Sequence, residues 1–163
     1  MKTLLIVVHS RTGGTRQMAE AAASGARAQS GIHVRLLDAG SAVAEDLLHA
    51  DGYVFATPEN LAAMAGIMKD FFDRTYYGVL DAVAGRPYAA MICAGSDGQN
   101  ARRQLERIAT GWRLKLIAAP LVVCTHAQTP ESINRQKIIQ TRDLLRCEEL
   151  GATLAAGMEL GIY

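Results

Sequence analysis

The sequence predicts an α/β sandwich in which a five-stranded, mostly parallel sheet carries helices on both faces. Three observations lead there. Short apolar runs recur along the 163 residues. Most of them are apolar on both faces, as strands covered on both sides must be. The segments between them have the composition and spacing of amphipathic helices. Strands and helices that alternate in this way imply parallel neighbours joined by right-handed crossovers.

The first strand is read over "TLLIVV", residues 3 to 8, and a helix over "GTRQMAEAAASGARAQ", where Met18, Ala22 and Gly25 share one side before Gly31 stops it. The second strand is "HVRLL", 33 to 37, and the third "GYVFAT", 52 to 57. The next helix is expected over "LAAMAGIMKDFFDRTYY". There Met64, Ile67, Met68, Phe71 and Phe72 fall at helical spacing, and Lys69, Asp70, Asp73 and Arg74 face away. That stripe reads as core. The fourth strand is "PYAAMICAG", 87 to 95, and the fifth "LKLIAAPLVVC", 114 to 124. A long closing helix is expected from about Ser132 to Met158, with Cys147, Leu150, Gly151, Leu154 and Met158 on one face.

The length suits one domain over residues 1–163. A formal net charge of +1 with 50% hydrophobic residues argues against disorder, against a nucleic-acid binder and against a strongly acidic electron carrier. "MKTLLIVVHSRTGG" is apolar only from Leu4 to Val8, too briefly for a secretory signal, and no stretch approaches the roughly 20 apolar residues of a membrane span. Cys93, Cys124 and Cys147 are odd in number and form no CxxC pair. A cytoplasmic protein with reduced thiols is expected, contacting neither membrane nor nucleic acid. His9, His33, His49 and His126 fit no zinc spacing, so no metal is expected.

In an open parallel sheet, ligands bind beyond the carboxyl ends of the strands, where strand order reverses. The loops there are "HSRTGGT" after the first strand, "TPENLAAMAG" after the third and "AGSDGQNA" after the fourth, all rich in glycine and small polar residues. With strand order 2-1-3-4-5, strands 1, 3 and 4 are adjacent and the three loops converge. The first loop runs into a helix, whose free N–H groups and dipole favour an anion. It is not a Walker A loop, because no glycine opens it and Arg16 stands where lysine belongs, and GxGxxG is absent. No cysteine occurs before Cys93, which removes a cysteine phosphatase. Thr57-Pro58 replaces the aspartate that a receiver domain would place near the end of strand 3.

Ser10-Arg11-Thr12-Gly13-Gly14-Thr15 resembles the S/T-x-T-G-x-T phosphate loop of flavodoxins and their flavin reductase relatives. "TPENLAAMAGIMKDFFDRTYYG" resembles the second flavin loop and following helix of the NAD(P)H-dependent FMN reductase and WrbA-type quinone reductase groups. The resemblance covers essentially the whole chain and implies a flavodoxin-like fold binding FMN. It implies that the hydroxyls of Ser10, Thr12 and Thr15 and the backbone N–H groups of Arg11 to Thr15, Gly13 and Gly14 among them, hold the FMN phosphate. Thr57, Pro58, Glu59 and Asn60 would line one edge of the isoalloxazine, and Gly95, Ser96, Asp97 and Gly98 the other. Arg11 or Arg16 would add charge at the phosphate, with a solvated arginine as the equal alternative, and Asp97 has the alternative of capping the next helix.

No catalytic side chain is expected, because the flavin supplies the chemistry and the protein places it. Loops 57 to 66 and 95 to 100 contain no aromatic residue. An uncovered ring face suits a reductase using NADH or NADPH and a small-molecule electron acceptor such as FMN or a quinone. The alternatives are a flavodoxin-type electron carrier without its own turnover and a flavodoxin-like regulatory scaffold. The resemblance also implies a homodimer or homotetramer, in which Tyr76 and Tyr77 reach a neighbouring subunit's flavin.

Overall fold

The computed structural model describes residues 1–163. In chain order the elements are β1 (Lys2–Val8), α1 (Gly14–Arg27), β2 (Ile32–Asp38), α2 (Ala44–Leu48), β3 (Gly52–Asn60), β4 (Ala63–Met64), α3 (Gly66–Val79), β5 (Pro87–Ala94), α4 (Gln99–Gly111), β6 (Lys115–Leu116), β7 (Leu121–Cys124), α5 (Pro130–Asn134) and α6 (Thr141–Leu160). The sheet runs β2-β1-β3-β5-β6, and β7 also pairs with β5. Every pairing is parallel except the short β3–β4 ladder. The expected order therefore stands, with β6 and β7 together in the place of the fifth strand.

The alternation of β1 explains why its sequence is apolar throughout. Leu5 and Val7 enter a core on one face with Tyr53, Phe55, Phe71 and Phe72. Leu4, Ile6 and Val8 enter the opposite core with Met18, Ala22 and Leu154. Each core removes large apolar side chains from water, at roughly 1.5 to 3 kcal/mol per side chain. On the second face α1 and α6 come close enough that a Cβ on Gly25 would strike the Glu148 carbonyl and one on Gly151 the Ala22 carbonyl. Glycine at both positions permits that approach.

Four expectations are corrected. "LKLIAAPLVVC" is not continuous: β6 pairs with the start of β5 and β7 with its end, and Pro120 lies in the gap, lacking the N–H a ladder needs. Residues 57 to 60 are not a loop but the end of β3, which turns through Leu61-Ala62 into β4, so α3 starts at Gly66 instead of Leu61. Ile67 leaves the apolar stripe and is 44% exposed, whereas Met64, Met68, Phe71 and Phe72 are buried. The closing helix is two helices, α5 and α6, joined by an irregular strap over residues 135 to 140.

Candidate functional site

The carboxyl ends of β1, β3 and β5 open onto a cavity of about 560 Å³, within the usual range for a small-molecule site. It is walled by the first loop, by the β3–β4 hairpin and by the segment after β5. Of the expected residues, Ser10, Arg11, Thr12, Gly14 and Thr15 line it from the first loop. Pro58, Glu59 and Asn60 line it from the hairpin, and Gly95 and Ser96 from the segment after β5.

The first loop ends at Gly13, whose φ of 86° is a left-handed conformation suited to glycine. That turn starts α1 with no side chain capping its first turn, so the N–H groups there lack the partner a capping residue supplies. A Cβ on Gly14 would lie 2.7 Å from Cys93 Sγ and 3.3 Å from Lys137 Cβ. The loop is thus pressed against β5 on one side and the strap on the other. Ser10 Oγ is buried and has no hydrogen-bond partner, a condition that costs about 1–3 kcal/mol unless something fills it. Thr15 is 2% exposed, with its hydroxyl beside the Cys93 thiol.

The strap is fixed to the loop by backbone and by one side chain. The Lys137 N–H donates to the Thr12 carbonyl at 2.7 Å. Gln17 Nε2 donates to the carbonyls of Gly13 at 3.0 Å and Lys137 at 2.7 Å, and Gln17 Oε1 accepts from the Ile139 N–H at 3.1 Å. Lys137 Nζ donates to the Ile133 and Arg135 carbonyls at 2.8 and 2.7 Å. This holds a cation in the cavity wall beside the loop. Of the two arginines weighed from sequence, Arg11 lines the cavity, whereas Arg16 turns away to Asp38 at 3.7 Å.

The hairpin is joined to α4 by polar contacts. Glu59 accepts from the N–H groups of Gly98 at 2.8 Å and Ala101 at 3.1 Å. It caps α4 from 39 residues upstream and places a carboxylate at the positive end of that helix. The Met64 N–H donates to Gln104 Oε1 at 2.9 Å, and Asn100 Nδ2 to the Ala62 carbonyl at 2.6 Å. The turn residues Leu61 and Ala62 have φ of 49° and 60°, a region that β-hairpins usually give to Asn-Gly.

Four expected residues do not line the cavity: Gly13, Thr57, Asp97 and Gly98. Gly13 makes the turn beneath the loop. Thr57 is fully buried, donating to the Pro58 carbonyl at 3.1 Å and accepting from the Ala65 N–H at 3.2 Å. Gly98 is the N-cap of α4 in a left-handed conformation, and no side chain at the cap itself, Asp97 included, makes the capping bond. Conversely, Leu61 and Ala62 at the hairpin tip, Cys93 and Ala94 on the floor, and Ile133, Asn134 and Lys137 near the strap all line the cavity without having been expected. Thr125 and Ala127 also line it. They follow a strand end, the one signal that could have found them. Burial pushes the Cys93 thiol up to about 11, opposed by the neighbouring Thr15 hydroxyl and the Lys137 charge. It is therefore protonated and unreactive near neutrality.

Comparisons with known proteins bear on the family and the fold. The family model for NADPH-dependent FMN reductase matches residues 38–129, so the first loop and the strap lie outside the matched segment. A flavodoxin of Aquifex aeolicus is 36% identical over 98 residues, which cover 60% of this chain and 53% of that protein. An NAD(P)H dehydrogenase (quinone) of Acidithiobacillus ferrooxidans is 36% identical over 95 residues, 46% of this chain and 48% of that one. The chain spans about half the length of these curated relatives. Among solved structures, an archaeal flavodoxin superposes with a TM-score of 0.77 at 18% identity, over 98% of this chain and 99% of that one. A WrbA-like flavodoxin from Agrobacterium tumefaciens does so with a TM-score of 0.73 at 19% identity, over 99% of both chains. These similarities show the flavodoxin-like fold.

Proposed function

The chain belongs to the NADPH-dependent FMN reductase family, and from that membership and the cavity we propose that it is an FMN-binding oxidoreductase taking electrons from NADH or NADPH. The observation that carries the reading is the buried, partnerless hydroxyl of Ser10, in a loop where helix N–H groups and a pinned lysine favour an anion. A phosphate there gives Ser10 its missing acceptor. The hydroxyls of Thr12 and Thr15 and the N–H groups of Arg11, Gly13, Gly14 and Thr15 complete the cradle. Hydrogen bonds to a charged group contribute roughly 1.5 to 3 kcal/mol each, so a few suffice as an anchor. Arg11 and Lys137 offset the phosphate charge.

Pro58, Glu59 and Asn60 on one side, and Gly95 and Ser96 on the other, form the walls for the ring. The Glu59 bonds to Gly98 and Ala101 keep those walls at a fixed separation. Thr57, Asp97 and Gly98 act indirectly, by shaping the backbone. Leu61 and Ile133 exclude water at the mouth with aliphatic groups. When bound, FMN would supply the redox chemistry, and these walls would hold its ring where a nicotinamide and a small-molecule acceptor such as a quinone or free flavin can reach it.

Purified protein reconstituted with FMN and titrated anaerobically with NADH and then NADPH tests the proposal. Loss of the visible flavin absorbance with either nicotinamide is expected. A second reading, an electron carrier without its own turnover, is favoured by the similarity to the Aquifex aeolicus flavodoxin. It is the outcome if flavin binds and neither nicotinamide bleaches it. Failure to bind FMN at all overturns both readings.

A further inference from the structure

Ser10 Oγ is sealed from water in this arrangement. A phosphate that pairs with it, as proposed above, must enter a place that the closed protein shuts off, so a wall of the cradle has to move. The loop and the floor are poor candidates, because Thr15 and Cys93 are buried in the body of the protein. The hairpin closes the other end of the cavity. What lies on the cradle itself is the segment from 126 to 138, α5 with most of the strap. Its residues Ala127, Ile133, Asn134 and Lys137 line the cavity. Two of its side chains rest on the glycines of the first loop: a Cβ on Gly13 would lie 3.2 Å from Gln136 Nε2, and one on Gly14 3.3 Å from Lys137 Cβ.

This segment is firmly held only at its ends. The Thr125 N–H donates to the Ala94 carbonyl at 2.9 Å before it, and Ile139 enters the core after it. No residue from 126 to 138 is buried, which places the segment among those that open at low cost. Three hydrogen bonds tie it and Ile139 to the first loop and α1: Lys137 N–H to the Thr12 carbonyl, Gln17 Nε2 to the Lys137 carbonyl, and Ile139 N–H to Gln17 Oε1. Two of the three belong to one side chain, which uses both the donor and the acceptor of its amide. Gln17 itself does not line the cavity. We propose that residues 126 to 138 are a gate over the phosphate cradle and that Gln17 is the positioning residue that holds it shut, so that Gln17 sets how fast FMN enters and leaves. The inference rests on the FMN reading. Lys137 keeps one proton beyond its two backbone bonds, with which the closed gate meets a phosphate. The Gln17 bonds are present without FMN and have no reason to change with it. Losing them therefore eases opening equally in the empty and filled states, which shifts both rates and leaves the affinity nearly alone.

Stopped-flow flavin fluorescence times FMN association and dissociation in the parent and in Gln17→Leu, which keeps the bulk of the side chain and removes its polar atoms. Both rates should rise about tenfold, the effect of one or two net hydrogen bonds, while Kd changes by less than about threefold. Faster dissociation with unchanged association would make the segment a fixed wall and overturn the gate, as would rates that do not move. Amide hydrogen exchange on the protein without FMN reads the gate separately. The Lys137 N–H bonds Thr12 and not Gln17, yet it should exchange about tenfold faster in Gln17→Leu, because the segment opens as a unit. A Lys137 N–H that exchanges as in the parent overturns the inference. Gln17→Ala, which puts the best helix former at that place in α1, repeats both measurements if Gln17→Leu does not fold. A chain that binds no FMN but shows the faster Lys137 exchange loses the FMN reading and keeps the gate, so the two failures are told apart.

Discussion

The two ends of the main cavity are held in different ways. At the first loop, steric contact admits almost one arrangement: Gly14 is pressed between Cys93 and Lys137, and Gln17 bonds loop and strap together at three atoms. At the β3–β4 hairpin, hydrogen bonds to α4 hold a turn whose two central residues adopt left-handed conformations without being glycine. Close-packed contacts have no partial setting, because moving a backbone out of them forfeits dispersion and opens a void. A hydrogen-bonded hairpin with an exposed tip tolerates small shifts. One end therefore suits an invariant anchor such as a phosphate, and the other suits a ring that must be reached by different partners.

The largest effect is expected from breaking the tight end. Gly14→Ala places a methyl group 2.7 Å from Cys93 Sγ, which should cost about 1–3 kcal/mol as overpacking and lower FMN affinity by displacing the loop. Cys93→Ala in the same chain should restore part of both. Denaturant melts and FMN titration of the two single variants and the double variant measure this coupling. Additive effects would mean that the contact is not what fixes the loop.

A smaller change of opposite sign is expected at the hairpin. Leu61→Asn with Ala62→Gly supplies the residues that a turn with positive φ favours and should raise stability by about 1 kcal/mol. FMN affinity should move less than at the first loop. A large loss of FMN would show that the hairpin, and not the phosphate end, dominates binding.

The same contrast decides what was legible in the sequence. Strand order and the first loop could be read because each leaves a local mark: an apolar run, then Ser10, Thr12, Gly13, Gly14 and Thr15. Pro120 was also a local mark of the break between β6 and β7. The strap left none, since "NRQKIIQ" has helical composition and its irregular shape comes from bonds to Thr12 and Gln17, more than a hundred residues away. Glu59 gave no sign of capping α4, because the bond joins residues distant in the chain. Asp97, the locally reasonable cap, therefore looked better placed. The hairpin was hidden by Leu61-Ala62, a pair that local turn rules do not suggest for positive φ.

The central claim is that Ser10 is left without a partner so that a flavin phosphate can provide one, and Ser10→Ala tests it with two readings from one variant. Without FMN, deleting a buried unsatisfied hydroxyl should raise stability by about 1 kcal/mol. With FMN, the same change should weaken binding by roughly tenfold to a hundredfold. A variant that is less stable without FMN and binds it as tightly as the parent would contradict the account.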